Sequence, residues 1–235
     1  MLTDSELMDV HARALFTCDA RSRLLLVNEP WGGRAAAPRL FLGRTRERNV
    51  WRFRADLPES LVGELEPLCA DEPPGVGHGD RLRHTRVYVR LLEAHSPVRK
   101  VWAGPAFRFA EYPEPSRPVL AVVTGADAES LRGGFEEMLD ELPARLPFVA
   151  VVEAGRAVSV CRSVRATDAA HEAGVETLPD FCGRGYARDA TAGWARLVRS
   201  LGALPLSSTS WENEASRALA RKLRLEQYGA DFHVT

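Results

Sequence analysis

The chain has 235 residues, of which 45% are hydrophobic and 27% are charged, the composition of a globular protein with a core of normal size. Its 31 basic and 32 acidic side chains give a formal net charge of −1, so no excess charge favours binding to DNA, RNA or an anionic membrane. No stretch approaches the ~18 consecutive apolar residues of a membrane-spanning helix.

Residues 1–115 are predicted to mix helices and strands. Thr3 and Glu6 have the spacing of a capping box, and apolar residues follow at helical intervals, which predicts a helix at 4–15. Apolar runs between Gly, Pro and Asn residues predict the further elements. In order, these are strands at 23–29, 39–45 and 49–54, helices at 57–70 and 80–94, and a strand at 99–109 that a Gly-Pro kink breaks.

The segment EYPEPSRP, residues 111–118, has three prolines in eight residues and is the best linker candidate in the chain. We therefore expect an N-terminal α/β domain of unknown role at 1–115 and a second domain at 118–235. The elements predicted for the second are a strand at 119–125, a helix at 126–142, two strands in 147–166, a strand at 171–180, a helix at 185–201, a strand at 205–210, a helix at 213–223 and a strand at 225–234. This order predicts an α/β fold with a mixed sheet.

The cysteines and histidines are scattered along the chain. Cys18, Cys69, Cys161 and Cys182 include no CxxC pair, and the six histidines show neither HxH nor HExxH spacing. Zinc sites and disulfide frameworks depend on such spacings, so the sequence predicts neither a metal site nor a disulfide scaffold. The first residues lack the basic and apolar regions of a signal peptide, and a cytoplasmic location is expected.

The stretch DFCGRGYARD, residues 180–189, joins a predicted strand to a predicted helix through Gly183 and Gly185. A helix N-terminus carries unsatisfied N–H donors and a partial positive charge, and glycines let these donors close around an anion. A diphosphate is the natural ligand, and Arg184 and Arg188 flank the turn. A plain strand-to-helix turn is the alternative, since the stretch matches neither the Walker A motif nor the GxGxxG fingerprint.

Residues 171–235 resemble the GNAT superfamily of acyl-CoA-dependent N-acyltransferases. The family's pyrophosphate loop has Gln or Arg, two residues, Gly, one residue, then Gly or Ala; here Gly185 and Ala187 match, whereas Cys182 replaces the Gln or Arg. Asn213 has the position of a family residue that opens a helix and contacts pantetheine. The resemblance implies an acetyl-CoA site formed by Thr177, Leu178, Cys182, Gly183, Arg184, Gly185, Tyr186, Ala187, Asn213 and Ser216.

The resemblance also implies a GNAT-like fold for the C-terminal half and direct attack of an amine on the acyl thioester. Strand alternation puts Glu172 and Glu176 on one face of 171–177, and one of them is the expected base, Glu176 being the nearer to the thioester. The alternative is that both are solvated strand carboxylates. The family's tyrosine acid has no counterpart, because its position is Ala220. For residues 1–115, a degenerate copy of the same fold is one interpretation.

The resemblance implies an N-acetyltransferase that uses acetyl-CoA as co-substrate, needs no metal, and acts on the primary amine of an unidentified small molecule or protein. The alternative is a non-catalytic acyl-CoA-binding or sensor protein, and a third hypothesis is a nucleotide-binding module without CoA. The expected partners are acyl-CoA and an amine acceptor, without nucleic acid or membrane, and with a homodimer left open. The high arginine and alanine content is typical of a GC-rich genome, and a bacterial source is expected.

Overall fold

A computed structural model describes residues 2–30, 32, 35–77, 82–122, 125–140 and 142–235. Within these ranges the α-helices are α1 (Asp4–Leu15), α2 (Glu59–Asp71), α3 (Thr85–His95), α4 (Gly125–Ala128), α5 (Tyr186–Ser200) and α6 (Glu214–Lys222). The strands are β1 (Phe16–Cys18), β2 (Leu24–Val27), β3 (Leu40–Thr45), β4 (Asn49–Phe53), β5 (Val101–Arg108), β6 (Leu120–Ala121), β7 (Phe148–Glu153), β8 (Arg156–Ala166), β9 (Ala170–Thr177), β10 (Leu204–Ser208) and β11 (Glu226–Val234).

Nine of these strands form one sheet in the order β4-β3-β11-β5-β10-β9-β8-β7-β6, and β1 and β2 pair separately. Neighbours in the large sheet are antiparallel except for β9 and β10, which run parallel. The predicted α/β fold with a mixed sheet is confirmed.

The final strand joins the two halves of the chain. β11 lies between β3 and β5, both from residues 1–115, and pairs antiparallel with each. Near its middle, Asp231 stands opposite Gly43 on one side and Gly104 on the other. The sheet is therefore continuous across the proposed boundary at 115–118, and the division into two domains stays a prediction.

Helices cover both faces of the sheet. α1 packs beside Phe41 and Tyr228, while α2 and α3 cover the opposite face of β3 and β11. The buried Trp194 and its neighbours on α5 pack against β7 and β8, whose other face is covered by the segment 128–142. This layering follows from the amphipathic periods of the helices, each of which buries one stripe.

The helix predicted at 126–142 is wrong over most of its length. The chain instead forms the short α4 and three 3₁₀ turns, Glu129–Leu131, Glu136–Met138 and Leu142–Arg145. Gly133 has a φ of +89°, a left-handed conformation that interrupts an α-helix, and Gly134 follows it directly. The apolar residues that suggested the helix are still buried, because the turns bring Leu131, Phe135 and Leu142 onto the sheet.

The kink predicted in the strand at 99–109 is also wrong, because β5 runs without interruption from Val101 to Arg108. Pro105 stands opposite Ala230 of β11, but its carbonyl accepts a bond from Thr209 N on the β10 side. In an antiparallel strand the N–H and C=O of a residue point the same way. The missing N–H of Pro105 thus falls where the β10 ladder ends, and no bond to β11 is lost. For the strand predicted at 119–125, Val123 and Thr124 lie outside the described residues.

We expect the fragment 118–235 not to fold alone. Without residues 1–115, β11 loses its partners on both sides and β10 loses β5, so two strands would have unpaired edges. Circular dichroism and gel filtration of the purified fragment would show an unfolded or aggregated chain. A monomer with a cooperative melting transition would contradict this expectation and support the two-domain division.

Candidate functional site

A cavity of about 570 Å³ opens where the two parallel strands separate. β9 and β10 are in register only at Leu204 with Ala170, Pro205 with His171 and Leu206 with Glu172. Beyond these pairs, β9 continues along β8 to Thr177, whereas β10 continues along β5 to Ser208. The gap left between them forms one wall of the cavity, and α5, α6 and the loops beside them supply the rest.

The glycine turn closes one end of this cavity. After a 3₁₀ turn at Pro179–Phe181, Gly183 and Gly185 adopt left-handed φ angles of +78° and +87°, which glycine tolerates best. Gly185 is the N-cap of α5 and has no side chain to cap it. The N–H groups of the first turn of α5 therefore remain available to an anion at the cavity mouth.

The structure brings together most of the residues predicted for the coenzyme site. The cavity is lined by Thr177, Cys182, Gly183, Gly185, Tyr186, Ala187, Asn213 and Ser216. Asn213 caps α6, accepting a 3.0 Å bond from Ser216 N. Leu178 and Arg184 do not line the cavity: Leu178 packs against Gly134, and the guanidinium of Arg184 lies 5.5 Å from the Phe181 ring centroid.

Much of the cavity wall is formed by residues outside the predicted coenzyme site. Ala173 and Val175 of β9 line it, as do Ser207 and Ser208 at the end of β10. Strand alternation puts Ala173, Val175 and Thr177 on the face of β9 opposite Glu172 and Glu176, so the sequence pattern is sufficient to predict the β9 contribution. The divergence of β10 had no signal in the sequence. Ala220, at the position of the family's tyrosine, also lines the cavity.

Neither candidate base lines the cavity, because both glutamates point to the opposite face of β9. Glu176 is half-exposed, with 47% of its side chain accessible, and its Oε1 accepts a 2.6 Å bond from the buried Arg162. Glu172 is 3% exposed, and its Oε2 accepts a 3.1 Å bond from Ser208 N, just where β9 and β10 part. The structure thus gives the two carboxylates very different access to solvent.

Glu172 belongs to a buried ionic cluster that spans three elements. The Nε2 atom of His11, from α1, lies 2.7 Å from Glu172 Oε1 and 3.5 Å from Oδ2 of Asp231 on β11. The other ring nitrogen of His11 bonds the hydroxyl of Tyr228. His233 lies 3.8 Å from the same Asp231 oxygen and stacks on Trp102. No sequence pattern links these residues, which lie up to 222 positions apart (His11 to His233).

The pKa values of the cluster follow from burial and from its mutual charges. Burial disfavours the imidazolium of His11, but Asp231 and Glu172 outweigh it and raise the pKa of His11 to about 9. Burial raises the pKa of Asp231 to about 6, against the opposing effect of His11. Burial, His11 and Lys100 together lower the pKa of His233 to about 3. His11 is therefore the cation that compensates the two buried carboxylates.

We expect His11→Gln to lower the free energy of unfolding at pH 7 by about 3–5 kcal/mol, because it leaves buried carboxylates without their cation. The pKa of His11 is raised from 6.5 to about 9, so the stabilisation it contributes is complete below pH 6.5 and is lost as the pH rises through 9. Urea unfolding of the variant and of the parent at pH 7 and pH 9.5 would measure both effects.

The matched control is His95→Gln, since His95 is exposed at the end of α3. Its effect should stay within about 0.5 kcal/mol at either pH. An equal loss of stability in the two variants at pH 7 would show that His11 does not carry the compensating charge.

Among the described residues, no group of three or more His, Cys, Asp or Glu side chains is placed to hold a metal ion. In the same part of the chain, no helix has both the length and the apolar character needed to cross a membrane.

No protein-family model matches the chain, and no curated protein matches it. Among solved structures, it is similar to GCN5-related N-acetyltransferases from Sphaerobacter thermophilus (20% identity, 65% of this chain and 57% of that chain, TM-score 0.45) and Kribbella flavida (16%, 65% and 63%, 0.47). It is also similar to a tandem GNAT protein from the clavulanic acid biosynthesis pathway (11%, 87% and 80%, 0.47).

The chain thus spans less than two thirds of the length of the Sphaerobacter and Kribbella proteins. The names of these three structures refer to the same family that residues 171–235 resemble, the GNAT or GCN5-related N-acetyltransferases.

Proposed function

We propose that the chain is an N-acetyltransferase of the GNAT type, which transfers the acetyl group of acetyl-CoA to a primary amine of a small molecule or protein. The observation that carries this proposal is the cavity between two diverging parallel strands, ending at an uncapped helix N-terminus. A ligand with an extended arm and a diphosphate matches both features. The sequence resemblance of residues 171–235 supports the same ligand.

The two ends of the cavity suit different parts of acetyl-CoA. At the glycine turn, the N–H groups of the first turn of α5 would bind the diphosphate. Along β9, the ladder with β10 ends at Glu172, so the backbone groups of the next residues that face the gap have no strand partner in the part of the chain that the structure describes. Such groups seek hydrogen bonds, and the two amides of pantetheine would supply them.

Acetyl transfer requires the acceptor ammonium to lose a proton before its nitrogen attacks the thioester carbonyl. The new C–N bond forms as the carbonyl becomes tetrahedral, and the C–S bond then breaks to release the CoA thiolate. We assign the proton to Glu176, which would meet an amine that approaches from the face of β9 opposite the cavity. Glu176 is accessible and, among the described residues, only its Oε1 has a partner, so its Oε2 could accept the proton. Glu172 is buried and held by His11 and Ser208, so its role is to hold the separation point of the strands.

A non-catalytic acyl-CoA-binding protein is the second candidate, and one observation favours it. The cavity has Ala220 where the family has a tyrosine acid, and the hydroxyl of Tyr228 is buried against His11 rather than facing the cavity. The leaving thiolate would then take its proton from a Ser or Thr hydroxyl or from water. A protein that only binds acyl-CoA releases no thiolate and needs no such proton donor. A cytoplasmic location, a bacterial source and a homodimer remain predictions.

Coenzyme A should raise the melting temperature of the protein, whereas ATP at the same concentration should not, because only the former fills both the turn and the cavity. Differential scanning fluorimetry would measure the shift. Release of thiol from acetyl-CoA in the presence of a panel of primary amines would then separate an acetyltransferase from a binding protein. No thermal shift with CoA would overturn the proposed ligand.

Glu176→Gln should lower kcat by about 10²- to 10⁴-fold, the usual effect of removing a general base, and should also lower the melting temperature, because the buried Arg162 would lose its charged partner. Glu172→Gln should lower the melting temperature without a comparable loss of kcat in the folded protein, because His11 and Ser208 would lose a charged partner. Steady-state kinetics and thermal melts of both variants give this comparison. A wild-type kcat for Glu176→Gln would exclude Glu176 as the base.

A further inference from the structure

The proline-rich segment 111–118 lies against the first turn of α5. Asp189 of that turn is 1% exposed and accepts a 2.7 Å bond from Ser116 N. Arg117 Nη1 lies 2.7 Å from one Asp189 oxygen, and Arg188 Nη1 lies 2.9 Å from the other. The same Arg188 nitrogen donates to Ser116 Oγ at 2.9 Å. The segment predicted as a linker is thus fastened to the helix that begins at the glycine turn.

Arg117 also contacts the glycine turn itself. Its Nη2 donates to the carbonyl of Arg184 at 3.2 Å, and its guanidinium lies 4.5 Å from the centroid of the Tyr186 ring. A Cβ placed on Gly185 would stand 3.6 Å from Arg117 Nη1, so this guanidinium is in van der Waals range of the N-cap of α5. Gly185 and Tyr186 both line the cavity, which puts the charge of Arg117 at the cavity mouth.

Asp189 and the two arginines that contact it, Arg117 and Arg188, carry a net positive charge. Asp189 carries one negative charge and is shared by two guanidinium groups, so the group is positive by one. The side chain of Arg117 is 36% exposed, which leaves it within reach of a ligand. Of its five N–H groups, two are used by partners among the described residues, Asp189 and the carbonyl of Arg184. The remaining donors suit phosphate oxygens.

We propose that Arg117 is a binding residue for the diphosphate of the coenzyme and supplies, from the proline-rich segment, the cation that the loop lacks at Cys182. This inference rests on the proposed function. Cys182 stands at the first position of the loop, where the family pattern has Gln or Arg, and Cys182 lines the cavity. Arg117 reaches the same turn from a position 65 residues earlier in the chain (182 − 117). Asp189 holds it there.

A role that only fastens the segment is the competing explanation, and the chain offers a matched control for it. Arg196 lies further along α5 and contacts the same segment. Its Nη2 lies 2.7 Å from Glu114 Oε1, and its Nη1 donates to the carbonyl of Tyr112 at 3.1 Å. It is 44% exposed and does not line the cavity. Arg196→Ala thus weakens the attachment of the segment without removing charge from the glycine turn.

Isothermal titration with CoA would test the proposal on the full chain. Arg117→Ala should raise the Kd for CoA about tenfold or more and reduce its dependence on salt, because a charge-assisted contact is lost. Arg196→Ala should leave the Kd unchanged. Adding Cys182→Arg to Arg117→Ala should restore much of the affinity by returning a cation to the turn. If Arg117→Ala fails to fold, Arg117→Gln, which keeps a donor for the Arg184 carbonyl, takes its place with the same expected loss.

Three outcomes would overturn the inference. The first is an unchanged Kd in the Arg117 variants, and the second is an equal loss in Arg196→Ala. The third is a loss with CoA but none with dephospho-CoA, which would assign Arg117 to the 3′-phosphate rather than to the diphosphate. Failure of the unmodified protein to bind CoA would instead refute the proposed function, so the two failures are distinguishable.

Discussion

The short parallel pairing of β9 and β10 is the constraint on which the rest of the molecule depends. After three residue pairs β10 follows β5, and the N–H of Ser208 turns away from the β9 backbone. The carboxylate of Glu172 accepts that N–H in place of a strand carbonyl, so the ladder ends without an orphaned donor. A buried carboxylate then needs a cation, and His11 supplies it from α1. The gap between β9 and β10 therefore depends on the buried charges of Glu172 and His11.

Residues 1–115 therefore help to shape the cavity, although the residues that line it come later in the chain. They provide the helix that carries His11 and the strands β3 and β5 that flank β11. Gly104 of β5 contributes by its small size, because a Cβ there would lie 1.7 Å from the carbonyl oxygen of Thr209. The close approach of the two backbones lets the chain after β10 stay on β5 while β9 departs. The geometry of the cavity is consequently set by contacts between distant parts of the sequence.

Local signals predicted most elements and part of the site. The capping box at Thr3 and the alternation along β9 are properties of neighbouring residues, and both appear in the structure. The cluster around Asp231 had no such signal, because its members are brought together only by the order of the strands. The predicted helix at 126–142 shows the opposite failure, since its apolar period was real but Gly133 broke the backbone conformation. The roles of Glu172, Glu176 and the coenzyme residues remain proposals.

The position of β11 also has a consequence for the order in which the protein is made. The strand between β3 and β5 is translated later than every other element of the sheet. Until residues 226–234 emerge, β3 and β5 each present an unpaired edge, and such edges invite pairing with other chains. A nascent chain therefore passes through a period of susceptibility to aggregation, and assistance from chaperones would matter most during that interval.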